Sequence, residues 1–554
     1  MSTTLSSTTL SSTTLSSTKL SSTKLSFAQQ KLIELNVEGY TSLVDAFDQS
    51  CAEFSAKPAF HCLGQTLSYA DIEGYSRKFG AFLSESCGLV RGDRIAIQLP
   101  NINQFPIAVW GALRIGLTVV NTNPMYTARE QLHQFNDSGV KALVVLTDLL
   151  PVTEQVIPDT GIETVIVTHA MDMLQAQPLP QSTLPNLVTL PDALAIGADL
   201  VMPEVIMAMD DLAVLQYTGG TTGPSKGAML SHGNVFSGMR MSKLSVFPET
   251  EDDDILIAPM PLYHVFGFTM NVIGGFISGG LSVLVPDPRD ANALVALMRE
   301  FKFTSMASVN TLLQGLMSHP DFDKIDFSAV KGIIAGGTAL VKEIADEWFE
   351  RTGSKIFEGY GLSETAAVLT CNGPDNRRLG TVGKSMVAQE IKLVDDTGAS
   401  VGHDERGEIC VRGAQIMQGY WQRPEATAEA IDAEGWFRTG DVGVMGADGF
   451  LSIVDRIKDM VLVSGFNVYP NEIEDVVYSH PDIIECAVVG MKDDKTGEAV
   501  KLFVVSTNPA LTEDDMKTYC REQLTAYKVP KVVVFSDDLP KSPVGKILRR
   551  ELRD

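Results

Sequence analysis

The sequence predicts an α/β protein in two parts: a large N-terminal domain of layered α/β sheets and a small C-terminal α+β domain. Three observations carry this. At 554 residues the chain is too long for one compact core. From about residue 40 to 440, short apolar runs alternate with helical patterns, which implies largely parallel sheets covered by helices. After Asp455 the texture changes to mixed helices and strands of a separate small domain over 456–554, with a hinge at 455–458.

In chain order, residues 1–26 repeat a Ser-Ser-Thr-Thr-Leu unit that drifts to Ser-Ser-Thr-Lys-Leu. A period of five matches neither helix nor strand burial, so a disordered tail is expected. It has no continuous apolar stretch and does not read as a secretory signal. The N-terminal domain is expected over 27–455. Within it, 94–99, 118–122, 141–147 and 211–216 read as strands, and 107–115 and 128–138 as helices. Residues 266–285 carry no charge and are about as long as a membrane span. Five glycines, Thr269, Asn271 and two serines argue instead for a buried helix, a break at Gly279-Gly280 and a strand over 281–285. Residues 331–340 repeat the theme of strand, glycine turn, helix. In the small domain, 473–480 reads as a helix, and 485–490, 499–506 and 532–535 as strands. Thr512 caps a helix running to 524.

Apolar content of 44% and charged content of 20% describe an ordinary globular chain. A net charge of −25, with no basic stripe, argues against nucleic-acid binding. Seven scattered cysteines without Cys-x-x-Cys fit a reducing compartment, and eight histidines form no metal-ligand spacing. Lys528, Lys531, Lys541, Lys546, Arg549, Arg550 and Arg553 make the C-terminal end locally basic.

The stretch Tyr217-Thr-Gly-Gly-Thr-Thr-Gly-Pro-Ser-Lys226-Gly follows the strand at 211–216. Glycines let backbone N–H groups approach a polyanion, threonine hydroxyls add donors, and Lys226 adds charge, which suits a triphosphate. It is not a Walker A loop, because Lys226 follows Ser225 and no Ser or Thr follows the lysine. An isolated Gly/Thr/Ser cluster is ordinarily a surface loop. The whole string, however, resembles the phosphate loop of the adenylate-forming (ANL) enzymes. The resemblance implies an ANL-type fold with the small domain as a lid, and nucleotide contacts from Thr218, Gly219, Gly220, Thr221, Thr222 and Gly223, with Lys226 catalytic.

Further motifs extend the resemblance over about residues 40–554. Glu358-Gly359-Tyr360-Gly361-Leu-Ser363-Glu364 resembles the motif that packs its tyrosine on adenine and binds Mg²⁺ through its second glutamate. This implies Glu364 at the metal, with Thr218 beside it, and the other five named residues at the nucleotide. Gly336-Gly337-Thr338 is similar to the adenine-pocket turn, with Thr338 in place of a common glycine or alanine. Gly435-Trp-Phe-Arg-Thr-Gly-Asp441 is similar to the ribose motif, which assigns Asp441 to the ribose and Arg456 to ribose and phosphate. Arg438 and Met445 depart from the common residues there. Pro261-Leu-Tyr-His264 implies a substrate-side role for His264, although a lone histidine is more often structural. Ser464-Gly465-Phe466 implies a CoA path at Gly465 and Phe466, and Lys458 corresponds to the hinge. Pro540-Lys-Ser-Pro-Val-Gly-Lys546 resembles the catalytic-lysine turn.

Tyr420-Trp-Gln-Arg-Pro424, Asp459 to Pro470 and Leu524 to Lys531 read most like the bacterial long-chain fatty-acid–CoA ligase branch. The implied reaction activates a fatty acid with Mg²⁺ and ATP to an acyl-adenylate, releasing pyrophosphate; CoA then takes the acyl group and AMP leaves. A ligase for medium-chain or aryl acids is the main alternative. A carrier-protein-loading adenylation domain and a non-catalytic nucleotide-binding regulator stand further off. The expected location is cytoplasmic, with peripheral contact at the inner face of the cell membrane. A homodimer is compatible with the sequence.

Overall fold

The computed structural model describes residues 31, 35, 39–184, 186–218, 225–246, 253–464, 466–493, 495–542 and 545–553. The repeat at 1–26, the predicted phosphate-loop residues Gly219, Gly220, Thr221, Thr222 and Gly223, and Gly465 lie outside the described residues.

Two large sheets build the N-terminal domain. One has seven strands in the order Leu187–Thr189, Thr164–Thr168, Ala142–Leu146, Arg94–Gln98, Thr118–Asn121, Leu212–Thr218 and Lys226–Ser231. Its neighbours are parallel except the last pair, where Thr218 stands opposite Lys226. Central parallel strands are covered on both faces, so Ala142–Leu146 is a continuous apolar run buried nearly throughout. The second sheet has nine strands, parallel at its centre from Pro58–Cys62 through Leu281–Leu284, Ile255–Ala258, Ser305–Ser308 and Gly332–Gly336 to Ile356–Leu362. Helix Gln104–Arg114, buried at every position, shares one core with both sheets. Within it Phe276 stacks on Phe47 with ring centroids 5.1 Å apart, and lies 5.7 Å from Trp110.

Strand–helix alternation does not persist to residue 440, as the sequence led us to expect. Gln389–Val394, Arg406–Gly413, Phe437–Met445 and Leu451–Arg456 form a separate four-stranded sheet, antiparallel throughout. Irregularities between Glu408 and Cys410 and between Val442 and Gly443 break the two-residue alternation by which such strands are recognised.

Past this sheet, Val461–Val463, Phe466–Val468, Ile483–Asp493, Gly497–Ser506 and Val532–Phe535 make a five-stranded sheet. Helices Pro470–Tyr478 and Glu513–Gln523 accompany it, and Ile473, Val488, Leu502 and Met516 lie in its own core. Thr512 caps the second helix in a reciprocal box with Asp515. The first helix begins earlier than its apolar pattern suggests because Pro470, with its fixed φ, starts it. Residues 266–285 hold a wide π-helical segment, Phe268–Gly275, and strand Leu281–Leu284. No helix among the described residues is long and apolar enough to cross a membrane.

Candidate active site

The site gathers where strand ends of the nine-stranded sheet meet the antiparallel sheet and the C-terminal turn. Strand Gly332–Gly336 ends in Gly336, and Gly337 follows in the left-handed region at φ +85°. The turn is held from behind: Leu340 N–H donates to Glu358 Oε1 at 3.0 Å, and the Asn310 amide reaches Ala339 O at 2.6 Å and Thr338 Oγ1 at 3.4 Å. Burial pushes the Glu358 carboxyl up to about 7.

Glu358, Gly359, Tyr360 and Gly361 lie on strand Ile356–Leu362. Gly361 has a packing reason: a Cβ there would stand 1.6 Å from Ala367 O. Ser363 and Glu364 follow in the turn Ser363–Thr365. Tyr420 donates its hydroxyl to Glu364 Oε1 at 2.8 Å, and Lys226 Nζ stands 5.0 Å from the Tyr420 ring centre. Burial raises the Glu364 pKa.

Asp441 is the hub of the next group. Tyr360 donates its hydroxyl to Asp441 Oδ2 at 2.6 Å, and Arg456 Nε is 3.1 Å from Oδ1. Asp441 and Arg456 are opposed residues of adjacent strands.

Lys546 reaches this group from the small domain. Its turn is closed by Ser542, whose N–H donates to Lys546 O at 2.7 Å and whose hydroxyl accepts from Lys546 N–H at 3.1 Å. Gly545, at φ +73°, lies so close to the large domain that a Cβ would stand 3.1 Å from Thr311 Oγ1. Burial brings the Lys546 ammonium down to about 7, helped by Arg456 and opposed by Asp441. His264 caps the short helix Val265–Gly267, its Nδ1 accepting from Phe266 N–H at 3.3 Å. Its pKa falls to about 4 through burial and the nearby Lys546 charge. Lys458 sits beside Arg456 and Asp459, its pKa lowered by burial first. Phe466 stands outside this network, 56% exposed and stacked on Tyr527 of the same domain.

The family model for AMP-binding enzymes matches residues 47–421, and that for the AMP-binding enzyme C-terminal domain matches 472–546. The chain belongs to the AMP-binding enzyme family. Among AMP-binding enzymes it is similar to the long-chain-fatty-acid–CoA ligase of Escherichia coli O157:H7, 44% identical over 94% of this chain and 96% of that protein. It is 31% identical to 4-coumarate–CoA ligase 3 of Oryza sativa subsp. japonica, over 95% of this chain and 94% of the relative. ATP-bound MatB from Rhodopseudomonas palustris superposes with a TM-score of 0.82 at 28% identity, covering 92% of this chain and 98% of that structure.

The motif reading of this AMP-binding enzyme left out Tyr420 as a site residue, along with Asn310 and Asp455. The sequence signal for Tyr420 is its aromatic hydroxyl at the head of Tyr420-Trp-Gln-Arg-Pro424. Nothing local marks Asn310, whose partners lie on the 338–341 turn. Asp455 reads in the sequence as the edge of the hinge, and its contacts with Asn471 and Arg549 show only in the fold.

Proposed function

We propose that this AMP-binding enzyme converts a long-chain fatty acid, ATP and CoA to acyl-CoA, AMP and pyrophosphate through an acyl-adenylate. The observation that carries this reading is the convergence of Tyr360, Asp441, Arg456 and Lys546, contributed by both domains, in a chain 44% identical to a long-chain-fatty-acid–CoA ligase over nearly its whole length.

In the first step the fatty carboxylate attacks the α-phosphorus of ATP and pyrophosphate leaves. The barrier is electrostatic, since an anion approaches a polyanion. Lys546 and Lys226 offset charge on the phosphates and the departing pyrophosphate. Asp441 accepts from the ribose hydroxyls, Arg456 reaches ribose and phosphate, and Tyr360 packs on adenine beside the 336–338 turn. His264, held uncharged at neutral pH, lines the acyl side. Glu364, a half-buried carboxylate, and Thr218, a hydroxyl, are oxygen donors that fit Mg²⁺ and would hold it beside the phosphates. Bound there, the ion supplies charge neutralisation on the phosphates.

In the second step the CoA sulfur, giving up its proton, attacks the acyl carbon, and the bond from that carbon to the phosphate oxygen breaks to release AMP. The small domain turns about Lys458, withdrawing Lys546 and presenting the 465–466 segment to pantetheine. A substrate of this class partitions into bilayers, so peripheral membrane contact belongs to the reading.

ATP–pyrophosphate exchange measured across acids of graded chain length and aryl acids, with and without CoA, tests it. Exchange and CoA-dependent thioester formation are expected to be greatest with long-chain acids. A preference for aryl or medium-chain acids would replace the substrate, and exchange with no acid at all would leave a nucleotide-binding protein without ligase activity.

A further inference from the structure

Arg549 lies three residues beyond Lys546, with its side chain only 16% exposed. Its guanidinium is surrounded by acceptors. Nη2 is 2.5 Å from Glu474 Oε2 and 2.5 Å from Asn471 Oδ1, and Nε is 3.2 Å from Glu474 Oε1. Nη1 stands 3.6 Å from Asp455 Oδ1 and 3.6 Å from Asp459 Oδ2.

These partners belong to two bodies. Asp455 is on strand Leu451–Arg456 of the antiparallel sheet, its side chain wholly buried. Asn471 and Glu474 are on helix Pro470–Tyr478 of the small domain, and Asp459 follows the segment 455–458. Asp455 is itself fixed, its Oδ1 accepting from Arg456 N–H at 2.7 Å and its Oδ2 from Asn471 N–H at 2.8 Å.

Little slack separates Arg549 from the lysine. Leu548 N–H donates to Pro540 O at 2.7 Å, Lys541 and Ile547 form a bridge, and Ser542 closes on Lys546. A shift of the guanidinium is therefore passed to the turn that carries Lys546, whose Gly545 lies close to Thr311.

We infer that Arg549 is the positioning residue for Lys546: by gripping Asp455 across the hinge segment it holds the lysine at the nucleotide cluster, and it gives up Asp455, keeping Glu474 and Asn471, when the small domain turns. This rests on the proposed roles of Lys546 and Lys458. Arg549 touches no reacting atom in this account, so its removal damages the step that needs the lysine in place and spares the step that needs it withdrawn.

The test measures ATP–pyrophosphate exchange separately from thioester formation by supplied acyl-adenylate and CoA. A wild-type protein with no exchange on any acid fails the ligase reading before any variant is made. Arg549→Met is expected to lower exchange about tenfold or more. Thioester formation from supplied acyl-adenylate and ATP affinity should each stay within about threefold, and Arg549→Lys should recover part of the exchange. Asp455→Asn, which keeps the side-chain shape, should reproduce the split. The double variant should be no worse than the worse single one by more than about threefold, because the two residues act as one contact. Equal loss of both half-reactions together with a lower melting temperature in both single variants overturns the inference and makes Arg549 a fold staple. Unchanged exchange in Asp455→Asn overturns the grip across the hinge.

Discussion

The carboxylate of Asp441 and the guanidinium of Arg456 face each other across two adjacent strands, with Nε 3.1 Å from Oδ1. Arg456 is the last residue of its strand before the chain turns toward the small domain. One ion pair thus joins the proposed ribose site to the start of the proposed hinge. A nucleotide that engages Asp441 acts on the residue at which the chain leaves the large domain.

Asp441→Ala should weaken ATP and AMP binding by more than about tenfold, since a charge-assisted hydrogen bond contributes roughly 1.5–3 kcal/mol and two are lost. Titration calorimetry with AMP checks this without turnover. An unchanged affinity would reduce Asp441 to a partner of Tyr360 and Arg456.

Lys546→Ala should cost adenylation about a thousandfold or more, several kcal/mol, because the charge matters while pyrophosphate departs. Supplied with acyl-adenylate and CoA, the variant should form thioester at a near-normal rate. Equal damage to both half-reactions would contradict a lid that withdraws the lysine.

The pH dependence of adenylation follows from the burial of Lys546. Its pKa is lowered to about 7, so the charged, competent form prevails below that pH and is lost above it. In the free enzyme kcat/KM for ATP should therefore fall as pH rises through about 7. Bound phosphates favour the charged form, so the corresponding fall in kcat should lie at higher pH. Glu358, pushed up to about 7 by burial, titrates in the same range. Lys546→Arg separates the two, since arginine stays charged: the alkaline fall should flatten, and its persistence would assign it to Glu358.

Tyr420→Phe removes the hydroxyl bonded to Glu364 and keeps the ring beside Lys226. Adenylation at limiting Mg²⁺ should drop by about twofold to tenfold, the value of one hydrogen bond. Tyr420→Ala also removes the ring and should lose a further severalfold. Identical rates for the two variants would show that the ring does nothing for Lys226.

Much of the framework was legible because it is written in local chemistry. Residues 128–138 and 532–535 are a helix and a strand at the bounds that periodicity and caps suggest. Thr127 and Glu130 close one helix start and Thr512 and Asp515 another, within four residues of chain. Parallel strands such as Ala142–Leu146 announce themselves by being apolar on both faces. The candidate site residues were legible by motif resemblance; their spacing from 218 to 546 carries no periodic signal.

What the tertiary structure decided is which of these residues meet. The antiparallel sheet holding Asp441 and Arg456 was hidden because bulges interrupt its alternation. The contacts of Tyr420 with Glu364, of Gly545 with Thr311 and of Arg549 with Asp455 join segments 56 or more residues apart. Each such contact depends on how independently formed layers and cores dock. Docking is set by the summed shape and charge of whole surfaces, and no short window of sequence encodes it.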